Sequence, residues 1–142
     1  PVCAHIGLTP QSAAMMGGFK VQGKSLEAAQ ELLDSARAVE EAGAFMVVLE
    51  GIPKMLADVI TQKISIPTMG IGAGAGCDMQ VLVAQDMLGM NEWVPKFAKK
   101  FADLHTIIID AYNEFAKESN ERTFPDEATQ YNAKIEGIEN LK

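Results

Sequence analysis

The chain has 142 residues, 48% hydrophobic and 22% charged, with 19 acidic against 12 basic side chains and a net charge of −7. This composition is that of one globular domain and excludes a disordered chain; the acidic balance, with no basic run longer than Lys99-Lys100, argues against a nucleic-acid surface. No apolar run approaches the roughly 18 residues of a membrane helix, and the N-terminus has neither a basic region nor a signal-type core, so the expectation is a cytoplasmic protein.

The opening residues PVCAHIG alternate Val2, Ala4 and Ile6 against Cys3 and His5 and stop at Gly7, the pattern of a short strand. A strand pattern starting at Pro1 without a Met fits either removal of a short leader or a chain that begins inside a larger fold. LTPQSAAMMGGFKVQGK follows as a loop of about 17 residues, and loops beyond roughly 12–15 residues are usually functional. Ser25 then caps a helix with Leu26, Ala29, Leu33 and Ala36 at helical spacing and Glu27 in its first turn, ended by Gly43.

AFMVVLEGIP, residues 44–53, reads as an apolar strand buried on both faces that ends on Glu50. Pro53 opens a second helix with Leu56, Val59 and Ile60 on one face. SIPTMGIGAGAG reads as a third strand running into glycines, DMQVLVAQDMLG as a helix ended by Gly89, and EWVP as a last short strand. From Phe97, the positions Phe97, Phe101, Leu104, Ile108, Tyr112 and Phe115 form one helical stripe, and residues 123–142 are polar and weakly periodic, a loosely attached tail.

Alternating strands and helices predict an α/β fold with parallel strands, either half of a (β/α)8 barrel or a small open sheet. A full barrel takes about 250 residues, so four βα units over residues 1–122 amount to roughly half of one, with two edge strands left unpaired. In both architectures reacting groups collect at the C-terminal ends of the strands, where His5, Glu50 and the glycines Gly70–Gly76 fall.

An isolated buried carboxylate is costly, so Glu50 either caps the helix after Pro53 or serves as a general base with a raised pKa in an apolar pocket. His5 reads equally as a structural or a site histidine, and His105 as surface or packing within the long helix. GIGAGAG is not a dinucleotide fingerprint and no GK[ST] follows; its glycines either approach an anion or permit a tight turn. Asp78 and Asp86 lack a third oxygen ligand and read as solvated caps, and Cys3 and Cys77, without CxxC or zinc spacing, as small buried residues.

The motifs HIGLTPQS, GGFKVQGK, AGAFMVVLEGIP, SIPTMGIGAGAGCDMQVLVAQDMLG and PKFAKKFADL, in this order from about residue 2 to 125, resemble ketopantoate hydroxymethyltransferases. The resemblance implies the C-terminal half of a (β/α)8 barrel of the phosphoenolpyruvate/pyruvate type, usually in a large homo-oligomer such as a decamer. It implies transfer of a hydroxymethyl group from 5,10-methylenetetrahydrofolate to 3-methyl-2-oxobutanoate, with Mg2+ holding the keto acid, on the way to pantothenate. Such a site needs a base for the proton beside the ketone and a cation for the enolate oxygen. The family's proton acceptor falls on Glu50, and the histidine of its H-[IL]-G-L-T-P-Q motif falls on His5, beside the substrate.

The family's Mg2+ ligands and substrate-holding lysine belong to the N-terminal half of its barrel, so no metal ligand is assigned in this chain, and activity is expected only with that half. Departures from the family pattern are Gly51, where cysteine is common, Gln85, where histidine is usual, and DEATQ after FP. Two further readings stand beside the transferase: a non-catalytic half-barrel acting as an assembly or scaffold module through its sheet edges, and a related carbon-carbon bond enzyme that does not require folate.

Overall fold

The structure is a computed structural model describing residues 1–141. Four strands form one parallel sheet in the order β1 (Cys3–Gly7), β2 (Met46–Glu50), β3 (Thr68–Ile71) and β4 (Met79–Gln80). Helix α1 (Leu26–Glu41) crosses from β1 to β2, and α2 (Lys54–Lys63) from β2 to β3. Ala36 of α1 and Ala57 and Ile60 of α2 share one core cluster with Ile6, Val47 and Leu49, so both helices lie on the same sheet face, as in half of a (β/α)8 barrel.

The local signals explain both helices. The Ser25 hydroxyl accepts from the Ala28 amide, 3.1 Å away, which satisfies one of the free amides of the first turn of α1. Pro53 precedes α2 with φ −57°, preset for helix entry. Gly43, at φ +88°, turns the chain after α1. Leu26, expected on the buried face of α1, is instead exposed, at the first position of the helix.

Strand alternation divides the sheet into two unlike faces. Ile6, Val47, Leu49 and Thr68 point to the helices and pack with Ala36 of α1 and Ala57 and Ile60 of α2; Val47, Leu49, Thr68, Ala36, Ala57 and Ile60 are fully buried. The opposite face carries His5, Met46, Val48, Glu50 and Met69, all half-buried. The expectation that β2 is buried on both faces is therefore corrected, because among the described residues no layer covers the second face. Cys3, on that same face, is exposed rather than buried, whereas Cys77 is buried as expected.

The expected third helix and last strand also differ. DMQVLVAQDMLG divides into the two-residue strand β4 and a single turn, α3 (Ala84–Met87), and EWVP is irregular. Parallel neighbours ordinarily need a crossover of a dozen or more residues. Here the short segment 72–78 makes the connection, held by a polar clamp. The Asp78 carboxylate accepts from the Thr68 amide (2.8 Å) and hydroxyl (2.9 Å), the Asp78 amide donates back to the Thr68 hydroxyl (3.2 Å), and Thr61 donates to it from α2 (2.9 Å).

The last helix, α4 (Leu104–Glu121), starts later than the aromatic stripe suggests. Phe97 packs over Gly72, where a Cβ would come within 2.9 Å of its ring, and the Phe101 amide donates to the Met87 carbonyl. The chain is thus held to the β3 loop and to α3 before it can coil. The Leu104 and His105 amides donate to the Leu88 and Gly89 carbonyls, so the start of α4 is seated on the end of α3. Its apolar stripe is largely exposed, and Phe115 meets Phe124 edge to face at 5.6 Å. No helix among the described residues is long and apolar enough to cross a membrane.

Candidate active site

The C-terminal ends of all four strands open into one cavity of about 1010 Å³. Leu8, Phe19 and Lys20 reach it from the loop after β1, Glu50 and Ile52 from the end of β2, Ile71 and Gly72 from β3, and Gln80, Trp93 and Phe97 from β4 and beyond. A smaller hollow of about 490 Å³ lies between α1 and α2 in the outer layer. Its lining includes no carboxylate or imidazole, which leaves acid–base chemistry to the strand-end cavity.

Glu50 and His5, both singled out in the sequence, are brought together. The parallel register sets His5 opposite Val48 and Gly7 opposite Glu50, so both side chains stand on the sheet face away from the helices. His5 Nε2 lies 3.1 Å from Glu50 Oε2, with the two side chains 29% and 13% exposed. That buried nitrogen makes no formed hydrogen bond among the described residues, so the approach is close but off the donor line. A nitrogen of this kind can turn to an incoming oxygen without breaking a bond it already makes.

The backbone around Glu50 is fixed from both sides. Its carbonyl accepts from the Leu8 amide at 2.8 Å, and the next amide, Gly51, donates to the Ile71 carbonyl at 2.9 Å. Gly51 also receives the long loop, its carbonyl accepting from the Gln22 amide at 2.9 Å. Gly7, at φ +90°, sits so close that a Cβ there would run into the Glu50 carbonyl oxygen. Glycine is therefore required beside the carboxylate on steric as well as conformational grounds.

The remaining candidates are placed elsewhere or otherwise engaged. Of the glycine run, Gly72 and Gly74 line the cavity. His105 lies in the first turn of α4, its Nδ1 3.3 Å from the Met90 carbonyl oxygen. Asp78 is held in the Thr68 clamp, whose hydrogen bonds, the Thr68 amide first, keep its carboxyl below the usual range. Asp86 accepts from Asn91 at 3.1 Å and lines the cavity. Burial pushes the Cys77 thiol up. Among the described residues, no three of His, Cys, Asp and Glu gather into a cation site.

The sequence profile described as Ketopantoate hydroxymethyltransferase matches residues 1–127. This chain belongs to that family. A 3-methyl-2-oxobutanoate hydroxymethyltransferase of Clostridium novyi is 60% identical over 126 residues, covering 88% of this chain and 46% of that protein. Proteins of the same name match from Enterococcus faecalis, 59% identical over 88% of this chain and 46% of theirs, and from Clostridioides difficile, 48% over 99% and 52%. The chain thus spans about half the length of the curated relatives it matches, in keeping with the half-barrel seen in its strands.

Several cavity residues of this ketopantoate hydroxymethyltransferase family member escaped the sequence reading. Lys20, Lys54, Lys96, Phe19 and Trp93 all line the cavity. Phe19 and Lys20 were hidden within a long loop, and Trp93 within an expected strand. The available signal was a lysine behind three of the strand ends, Lys20 after β1, Lys54 at the start of α2 after β2, and Lys96 after β4, since the segments at that end of a parallel sheet form its pocket.

Proposed function

We propose that this chain is the C-terminal half of a cytoplasmic ketopantoate hydroxymethyltransferase, active when joined to the N-terminal half of the barrel. Residues 1–122 act as the half-barrel and 123–142 as a tail, of which Lys142 lies outside the described residues. Glu50 removes the proton on the carbon beside the ketone of 3-methyl-2-oxobutanoate, and His5 donates from its buried nitrogen to a substrate oxygen. The carbon so activated bonds to the one-carbon unit of 5,10-methylenetetrahydrofolate. The bonds from that unit to folate nitrogen break, water supplies the hydroxyl, and 2-dehydropantoate and tetrahydrofolate leave.

The observation that supports this reading is the close His5–Glu50 pair, 3.1 Å apart, in which Glu50 lines the strand-end cavity and His5 stands behind it on the same sheet face. An acid–base group must be positioned before it can act, and a positioned base contributes about 10²–10⁴-fold. In the family Mg2+ supplies charge stabilisation to the enolate oxygen. By the resemblance its ligands belong to the N-terminal half, and no step above is routed through it. The assembled protein is expected to be a homo-oligomer, a decamer by family resemblance.

The test is Glu50→Gln in the chain reconstituted with the N-terminal half of a relative, following exchange of the keto acid's proton in D2O by NMR. Exchange should fall by about 10²–10⁴-fold with the assembly intact. Unchanged exchange rejects Glu50 as the base. The second reading, a non-catalytic assembly module, draws on the half-exposed sheet face and predicts normal partner binding with no exchange in either protein.

A further inference from the structure

The long loop after β1 is held at its two ends by neighbouring carbonyls. The Leu8 amide donates to the Glu50 carbonyl at 2.8 Å and the Gln22 amide to the Gly51 carbonyl at 2.9 Å, so residues 9–21 leave and rejoin the fold at one point, the end of β2. Leu8 is buried, and sits so close to Gly51 that a Cβ there would lie 3.1 Å from its own Cβ. Compact surface loops of about 6–16 residues whose ends meet in this way are frequently functional.

Between those anchors the loop has a seated and an unseated part. Ala13 is buried, whereas Met15 and Phe19 are 92% and 77% exposed. Among the described residues, every hydrogen bond of residues 14–21 stays within the loop: the Met15 and Met16 amides donate to the Ser12 carbonyl, Gly18 to Ala13, Lys20 to Gly18, and the Gln22 side chain to the Lys20 carbonyl. Gly17 and Gly18, at φ +74° and +105°, stand in the middle of this segment. A Cβ at Gly18 would meet nothing within 4 Å, and one at Gly17 only the Lys20 ammonium. The segment is therefore free to move as a unit without breaking a bond to the sheet or the helices.

We propose that residues 14–21 form a lid on the strand-end cavity, hung from the carbonyls of Glu50 and Gly51 and bending at Gly17 and Gly18, which closes Phe19 over the bound keto acid. The identity of that ligand rests on the transferase reading above. Phe19, Lys20 and Val21 already stand at the cavity, and inward folding takes the Phe19 ring out of water against the apolar wall of Leu8, Ile52, Ile71 and Phe97. Closure also decides between two fates of the carbon from which Glu50 has taken a proton. Water returns a proton to it and regenerates the keto acid; the one-carbon unit bonds to it and gives product. A lid that excludes water favours the second.

The experiment uses the chain assembled with the N-terminal half of a relative, takes 3-methyl-2-oxobutanoate as the probe, and follows trypsin cleavage after Lys20, which is exposed. Cleavage tracks the population of the open form, so a lid closed about nine-tenths of the time over the keto acid slows cleavage at Lys20 about ten-fold. Cleavage at Lys99 and Lys100, exposed and outside the loop, should keep its rate. Alanine disfavours the positive φ of both hinge positions, so the Gly17→Ala/Gly18→Ala double variant should lose the protection at Lys20. It should still exchange the keto acid's proton in D2O at least as fast as the parent, while transfer from 5,10-methylenetetrahydrofolate falls about ten-fold.

Equal cleavage at Lys20 with and without the keto acid overturns the lid, as does a double variant that keeps the parent's ratio of transfer to exchange. Should the double variant not fold, the parent's cleavage pattern decides. Proton exchange in the parent reports separately on Glu50. Exchange without protection at Lys20 removes the lid alone; protection without exchange leaves the lid standing and removes the base; absence of both removes both.

Discussion

Replacing Thr68 with valine tests the clamp that lets β3 and β4 pair without a helix between them. The Thr68 hydroxyl is fully buried and uses all its capacity: it donates to the Asp78 carboxylate at 2.9 Å and accepts from Asp78 N–H at 3.2 Å and from Thr61 at 2.9 Å. Valine keeps the shape and deletes all three bonds. A hydrogen bond to a charged group is worth about 1.5–3 kcal/mol; water reaches exposed Asp78 to replace its lost partners, but Thr61, half-buried, is harder to compensate. The expected loss is about 2–3 kcal/mol, a large part of the roughly 5–15 kcal/mol of an ordinary domain. Urea unfolding followed by far-UV circular dichroism should show the midpoint falling by roughly 1 M at unchanged slope.

Asp78→Asn acts on the same bonds, so the double variant should lose about 1–2 kcal/mol less than the sum of the singles. A Thr68→Val protein within about 0.5 kcal/mol of the parent, or strict additivity with Asp78→Asn, would refute the clamp as the element that holds β4.

Three further outcomes are expected. Because the Asp78 carboxyl is held below its usual value in the folded chain, its contribution is present above the unfolded carboxyl's pKa and lost as pH falls through the folded one; stability should therefore decline on the acid side, and less steeply in Asp78→Asn, as pH-dependent thermal melts would record. Gly7→Ala places a methyl against the Glu50 carbonyl at φ +90°, and should cost about 1–3 kcal/mol and slow keto-acid proton exchange in the reconstituted barrel. Leu49→Ala, which empties the largest fully buried side chain, should cost about 2–5 kcal/mol by denaturant melt while leaving the shape of the strand-end cavity, read by Trp93 emission, nearly unchanged.

Where periodicity and packing agreed, the sequence was readable. The Ser25 cap, Gly43 and the apolar spacing of α1 located that helix to within a residue or two, and Glu50 at the end of an apolar run pointed to the mouth of a parallel sheet. The family resemblance favours base over helix cap as the expectation for Glu50, which spacing alone left level. What escaped was decided by contacts distant in sequence. DMQVLVAQDMLG has an apolar pattern that suits a helix, but the Thr68–Asp78 clamp draws its first residues into the sheet. Phe97 and Phe101 have helical spacing with α4, yet packing on Gly72 and bonding to α3 hold them outside it. Half-burial of β2 was hidden for another reason: Met46 and Val48 are as apolar as Val47 and Leu49, and composition cannot tell a covered face from an open one.

That alternation along β2 places two independent demands on adjacent positions. Val47 and Leu49 answer to the helix layer, where volume and shape decide; Met46, Val48 and Glu50 answer to whatever enters from the other side. Substitutions at odd and even positions of the same five-residue strand should therefore segregate by phenotype, the first set changing how much protein survives and the second changing what the surviving protein can do.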